Sequence, residues 1–258
     1  MRILGRDIKL RSLPQKIREM RVMVSHSRQF KQPLDVWRHY LCRTSPASRV
    51  LKLRDGKRIF LSGNPHDPIT AMVIFCRREY GMVPRDGVVV DIGANIGVFT
   101  IFAGLNGASR VVAVEPNQES FTVLLKNING NSLGNVVAPM RKAISQNSDE
   151  VVHLPRSSSP YNKISGSEQP DLEPVETVSL ENVIDGIEHV DLLKMDCEGA
   201  EYDVLMTCPD SILHRVQNLR IEIHSSKRFS KSDLIGRLQA AGFRLEQRDN
   251  LVHWFTRA

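Results

Sequence analysis

Two periodicities divide the chain. In the first eighty or so residues apolar positions recur mostly at helical spacing. Leu10, Leu13, Ile17, Met20 and Val24 fall three or four apart, which places them on one face of a helix over 12–25. Ser12 can cap that helix and Pro14 suits its first turn. Lys16, Arg18 and Arg21 lie off the stripe, and the stripe is expected to pack on the protein's own core. A second helix is predicted over 34–42, with Trp37, Tyr40 and Leu41. Alternating runs around Asp55-Gly56 predict a hairpin over 50–61, since that dipeptide tolerates the positive φ of a tight turn. Asp67-Pro68 opens a further helix towards Tyr80, closed by Gly81.

From residue 88 the rhythm becomes strand, helix, strand, helix. Strands are predicted at 88–91, 111–115, within 136–144, at 190–195 and at 219–224. The first is apolar up to its terminal Asp91, as in a sheet covered on both faces. Helices are predicted over 98–105, 118–128, 200–206 and 233–241, and 243–246 with 252–256 closes as an antiparallel pair. This order implies an α/β fold: a doubly wound, mostly parallel sheet with an antiparallel C-terminal strand, preceded by a helical and hairpin extension. The domains are expected at 1–66 and 67–258. Val151 to Leu154 reads as an added edge hairpin. Residues 155–174, rich in Ser and Pro, read as a lid or binding loop, with Arg156, Tyr161 and Lys163 as acceptor contacts.

Charge sharpens the division. Residues 1–60 hold sixteen Lys and Arg against four Asp and Glu, a net of +12, while the rest of the chain nets −6. A basic surface on the extension suits an anionic partner, and the 12–25 helix could touch an anionic membrane. No run approaches the roughly eighteen apolar residues that span a bilayer, and the start lacks the apolar core of a secretory signal. Cys42, Cys76, Cys197 and Cys208 show no zinc spacing, and Cys76 and Cys197 read as buried thiols. A cytoplasmic protein, peripheral at most to a membrane, is expected.

Three strand ends carry chemistry, and ligands of such sheets bind beyond the carboxyl ends of strands. Asp91-Ile-Gly93-Ala-Asn95-Ile-Gly97 places an acid at a strand end, then two glycines four apart that leave room for a ligand near the backbone. That spacing is not the G-x-G-x-x-G of dinucleotide folds, and it suits a cofactor with a charged amino-acid end and no pyrophosphate. Glu115 ends the second strand, where a carboxylate can accept from ribose hydroxyls. Lys194-Met-Asp196-Cys-Glu198-Gly-Ala-Glu201 puts three carboxylates after the fourth strand; Glu198 and Glu201 can also favour the positive start of the next helix. Glu222 and His224, two apart, point to the same side of the fifth.

In their order, Asp91–Gly97, Val-Glu115-Pro-Asn117, Ala143-Ile144-Ser145, Leu-Leu-Lys-Met-Asp196-Cys-Glu-Gly-Ala-Glu201 and Glu222-Ile-His224 resemble the FkbM family of methyltransferases, over a stretch from about Asp67 to His224. The resemblance implies a class I, Rossmann-like fold with S-adenosylmethionine as donor. It implies O-methylation of a hydroxyl on a sugar, glycolipid or natural product. By position Asp91, Gly93 and Gly97 would hold the methionine end and Glu115 the ribose, with Asn95 and Asn117 as further cofactor-binding candidates. The turn Ala143-Ile144-Ser145 would border the adenine, and Asp196 would sit near the sulfonium and the acceptor. Cys197 departs from the family's usual aliphatic residue.

The sulfonium is already activated, so catalysis is mainly alignment plus a base. His224 suits the base near neutral pH, with Asp196 and Glu222 as the other candidates. No essential metal is expected; the alternative is that Asp196, Glu222 and His224 hold a divalent ion that acidifies the hydroxyl. Three rivals remain. A nicotinamide dehydrogenase lacks its glycine motif here. A nucleic-acid methyltransferase would draw on the basic extension, but no Asn-Pro-Pro-Tyr-type tetrapeptide follows the fourth strand and nucleic acid is not the expected partner. A non-enzymatic membrane-binding module would use the 12–25 helix.

Overall fold

A computed structural model describes residues 2–3, 6–7, 13–155, 172–248 and 252–258. Arg156, Tyr161, Lys163 and the Ser12 cap lie outside the described residues. Contacts divide the chain into two units, Met1–Glu79 and Tyr80–Ala258. The helix that begins at Asp67 falls in the first, whereas its sequence position suggested the second.

The first unit contains a short antiparallel pair, β1 (Arg2–Ile3) and β2 (Arg6–Asp7), then α1 (Leu13–Ser27) and α2 (Pro33–Cys42). The predicted hairpin is β3 (Val50–Lys52) with β4 (Arg58–Phe60), turning through Gly56. Helix α3 (Asp67–Met72) continues as a π-helical turn, Val73–Arg77, which ends at Arg78 in a left-handed conformation. Helix α1 packs on that π turn: His26 Nδ1 lies 2.8 Å from the Cys76 carbonyl, and Phe30 meets Phe75. The expected packing of the α1 stripe is corrected here. Met23 and Ser27 are buried, but Ile17, Met20 and Val24 are exposed. A stripe marks one face of a helix, and only the edge of this one meets the unit's core.

The second unit is built on a seven-stranded sheet. Its strands are β5 (Val88–Ile92), β6 (Arg110–Val114), β7 (Val137–Met140), β11 (Val190–Met195), β12 (Val216–Glu222), β13 (Phe243–Arg248) and β14 (Val252–Arg257), in the order β13-β14-β12-β11-β5-β6-β7. The run from β12 to β7 is parallel, and β14 enters antiparallel between β12 and β13. Helix α4 (Val98–Leu105) packs with α5 (Gln118–Gly130), and α7 (Glu201–Thr207) with α9 (Lys231–Ala240). Right-handed crossovers running in opposite directions along the sheet put these pairs on opposite faces. This is the doubly wound α/β sheet that the rhythm predicted. Ile92, Val112, Leu193, Ile221 and Phe255 are among its closed core.

A second, three-stranded sheet takes the order β8-β10-β9, from β8 (Ala143–Ile144), β9 (Val151–Pro155) and β10 (Leu172–Val178). The single strand expected within 136–144 is therefore split between two sheets. The last residues of the expected 155–174 loop belong to β10. Pro174 lies within β10, the central strand of the three, although proline has no N–H to give to a ladder. Short helices α6 (Leu180–Val183) and α8 (Asp210–Leu213) were not foreseen.

Just beyond the ends of β5 and β11, Gly93 lies against the Asp196 backbone. Its φ is +74°, and a Cβ there would lie 1.8 Å from the Asp196 carbonyl oxygen. Gly93→Ala is expected to cost about 3 kcal/mol or more in thermal or denaturant unfolding. Gly134→Ala, with nothing within 4 Å of its added methyl, should melt like the parent. Equal stability of the two variants would contradict this packing.

Candidate active site

The chain leaves β5 towards β6 and β7 on one side and returns through β11 and β12 on the other. The loops after β5 and β11 part at this reversal, which is where an open α/β sheet binds its ligand. Lys194 and Asp91 stand opposite one another in the β11–β5 register. Lys194 Nζ lies 3.0 Å from Asp91 Oδ1, with the side chains 4% and 0% exposed. The ammonium also donates to the Gly93 carbonyl at 2.7 Å, and Thr100 Oγ1 donates to Asp91 Oδ2 at 2.6 Å. Burial works against the ammonium, but Asp91 and Asp196 outweigh it and raise its pKa above the ordinary lysine value. Asp91, implied at the methionine end, is thus enclosed with both oxygens engaged. Its influence on a ligand passes through Lys194 and the loop that Lys194 holds.

The two glycines serve the protein's own packing. The space beside Gly93 is filled by the Asp196 backbone. At Gly97, with φ +83°, a Cβ would lie 2.4 Å from Leu124 Cδ1. Asn95 has φ +51°; its backbone N–H donates to Glu115 Oε2 at 2.7 Å, and the Asn117 N–H donates to Glu115 Oε1 at 2.9 Å. Each Glu115 oxygen keeps a second lone pair for a ribose hydroxyl. Burial pushes the Glu115 carboxyl up from 4.5 to about 7, although both backbone hydrogen bonds oppose the shift. The Asn117 side chain caps α5 at Ser120 and donates to the Pro155 carbonyl. Ala143 and Ile144 are buried side chains of β8, which pairs with β10.

The three residues predicted for catalysis come together. Asp196 Oδ2 accepts from Tyr80 Oη at 3.0 Å and lies 4.0 Å from Lys194 Nζ. His224 Nε2 lies 3.9 Å from Asp196, 3.7 Å from Glu222 and 3.6 Å from Glu198. On its other side Nδ1 meets Glu201 Oε1 at 2.9 Å. Burial disfavours the imidazolium, but the Glu201 hydrogen bond and the surrounding carboxylates outweigh that and raise its pKa from 6.5 to about 9. At neutral pH His224 is a cation held among four acids. Asp196, Glu198 and His224 offer ligand atoms within 4.8 Å of one another, so this corner has the donors for a divalent ion.

Lys194, Tyr80, Thr100 and the role of Glu201 were missed in the sequence. A lysine among the apolar residues Leu192, Leu193 and Met195 was the available signal for Lys194. Glu201 begins α7, as expected of an acid at a helix start, but it is fully buried and also accepts from the Cys197 N–H at 2.9 Å. Tyr80 sits outside every motif and carried no signal. The donor set fits S-adenosylmethionine: carboxylates at the ends of β6 and β11 suit a ribose diol and a cationic sulfonium, and the Lys194 charge is answered by Asp91.

Comparison with known proteins agrees. The model of the methyltransferase FkbM domain matches residues 91–245. Methyltransferase 1 of Beauveria bassiana is 25% identical over 179 residues, covering 60% of this chain and 72% of that protein. The AMB antimetabolite synthetase AmbE of Pseudomonas aeruginosa is 26% identical over 58% of this chain, which spans 9% of that protein. The ribosomal protein L11 methyltransferase of a Geobacter species is 28% identical over 43% of this chain and 36% of its own length. Among solved structures, TrmK of M. capricolum with S-adenosylhomocysteine has a TM-score of 0.41 at 13% identity, covering 69% of this chain and 63% of that one. The chain belongs to the FkbM methyltransferase family, with S-adenosylmethionine as its methyl donor.

Proposed function

We propose that the chain transfers the methyl group of S-adenosylmethionine to a hydroxyl oxygen of a sugar, glycolipid or natural product. The observation that carries this reading is the acidic corner at the ends of β11 and β12, where Asp196, Glu198 and Glu222 surround His224 beside the donor crevice. Such a corner repels the phosphates of a nucleic acid and accepts the hydrogen bonds of a neutral, hydroxyl-rich acceptor.

When bound, S-adenosylmethionine supplies an electrophilic methyl that needs no further activation. Glu115 accepts from the ribose, and the loop fixed by Lys194 sets where the donor lies. Asp196, oriented by Tyr80, accepts the hydrogen bond of the acceptor hydroxyl and takes its proton as the oxygen attacks. His224 was the first candidate for that base; held as an imidazolium it has no free lone pair, and it serves instead to keep the three nearby carboxylates together. Glu222 remains close enough to share the acceptor contact.

The acceptor class is tested by following S-adenosylhomocysteine release with panels of saccharides, glycolipids, RNA and peptides. Turnover is expected with hydroxyl acceptors, and Asp196→Asn should lose about a hundredfold or more in kcat. Turnover confined to RNA or peptides would overturn the reading.

Glu115 gives a pH signature for cofactor binding. Above pH 7 it is ionised and accepts from the ribose; below, it holds a proton. Calorimetric titration with S-adenosylhomocysteine should show binding up to about tenfold weaker at pH 6 than at pH 8, and Glu115→Gln should flatten that difference. An unchanged pH dependence in the variant would remove Glu115 from the ribose.

His224 gives a signature in stability. Its pKa is raised in the folded state, so its contribution is complete below about pH 6.5 and is lost as pH rises through about 9. Wild-type Tm should fall between pH 7 and pH 10 by more than that of His224→Gln. Parallel curves would show that the carboxylates do not hold the proton.

A further inference from the structure

The exposed aliphatic residues of this chain are concentrated in its first unit. Among the described residues eight large hydrophobic side chains are exposed, and six of them, Ile17, Met20, Val22, Val24, Leu34 and Leu41, lie between residues 17 and 41. Their arrangement is helical. Ile17, Met20 and Val24, 47%, 52% and 45% exposed, form one stripe of α1. Leu34 and Leu41, 83% and 61% exposed, share a face of α2. Arg18 and Arg21 are exposed on α1, and the stretch from 1 to 60 carries the net +12.

We propose that the first unit docks on an anionic lipid surface through α1 and α2. Aliphatic side chains that face water gain by entering the boundary between headgroups and acyl chains, and flanking arginines gain from the negative surface potential. Trp37, half-buried between the two helices through its hydrogen bond to Ser27 Oγ and its edge contact with Tyr40, is the amphipathic type found at that boundary. No described helix is long and apolar enough to cross a membrane, so the contact is peripheral. Two alternatives fit less well. A second copy of the chain would bring two surfaces of the same charge together. Single-stranded nucleic acid is gripped by open aromatic faces, whereas the exposed apolar residues here are aliphatic.

The full chain is tested by flotation with phosphatidylcholine vesicles with and without phosphatidylserine. Binding is expected only with phosphatidylserine, and it should weaken as salt rises. An Ile17→Ser, Met20→Ser, Val24→Ser variant and an Arg18→Glu, Arg21→Glu variant should each bind more than about tenfold less. All five positions are solvent-exposed and lie outside residues 91–245, so melting and S-adenosylhomocysteine affinity should stay at the parent's values. Those two readouts separate loss of docking from loss of fold and of the methyltransferase site. The proposal is overturned if the parent does not float with phosphatidylserine vesicles, or if either variant floats as the parent does. It is also overturned if the serine variant instead abolishes self-association or RNA binding.

Discussion

A buried ion pair at the reversal of the sheet underlies the site. Lys194 and Asp91 occupy facing positions on two central strands, and neither reaches water. Desolvating two charges is costly, and the cost is offset only when both are fully engaged. Here Thr100 completes Asp91, and the Gly93 carbonyl completes Lys194. The same ammonium lies 5.5 Å from the centre of the Tyr80 ring, and Tyr80 in turn orients Asp196. The loop after β5, the Asp196 carboxylate and the sheet are thereby joined through one side chain.

Around that pair the charges are arranged by depth. At the ends of β6, β11 and β12 carboxylates outnumber cations, which suits a positively charged donor. His224, tied to buried Glu201 on one side, partly neutralises Asp196, Glu198 and Glu222 on the other, so that three acids can share a small volume. The basic excess belongs to residues 1–60, which carry a net of +12 while the rest of the chain nets −6.

Much of this was legible in the sequence because it depends on local pattern. Apolar runs alternating with helical periods predicted the doubly wound α/β sheet, and acids at strand ends marked Glu115, Asp196 and Glu222. What the sequence hid depends on contacts between distant segments. The glycines at 93 and 97 looked like space for a ligand, but that space is taken by the Asp196 backbone and Leu124. Lys194 looked like one polar residue in a strand until its facing residue proved to be Asp91. Strand β10 begins inside the stretch that read as a loop, and Tyr80 has no motif. The α1 stripe has the same spacing whether its apolar side meets the protein's own core or something outside it; only the folded unit shows Ile17, Met20 and Val24 turned outward.

The most direct test of this account is calorimetric titration of S-adenosylhomocysteine into Lys194→Met, measured beside the parent at a temperature where both are folded. Methionine keeps the bulk of the side chain but leaves Asp91 buried without its cation and the Gly93 carbonyl without its donor. The account requires binding to fall by at least about tenfold, with a lower Tm from the unpaired carboxylate. A folded Lys194→Met protein that binds with the parent's affinity would contradict the claim that this ion pair holds the cofactor site in place.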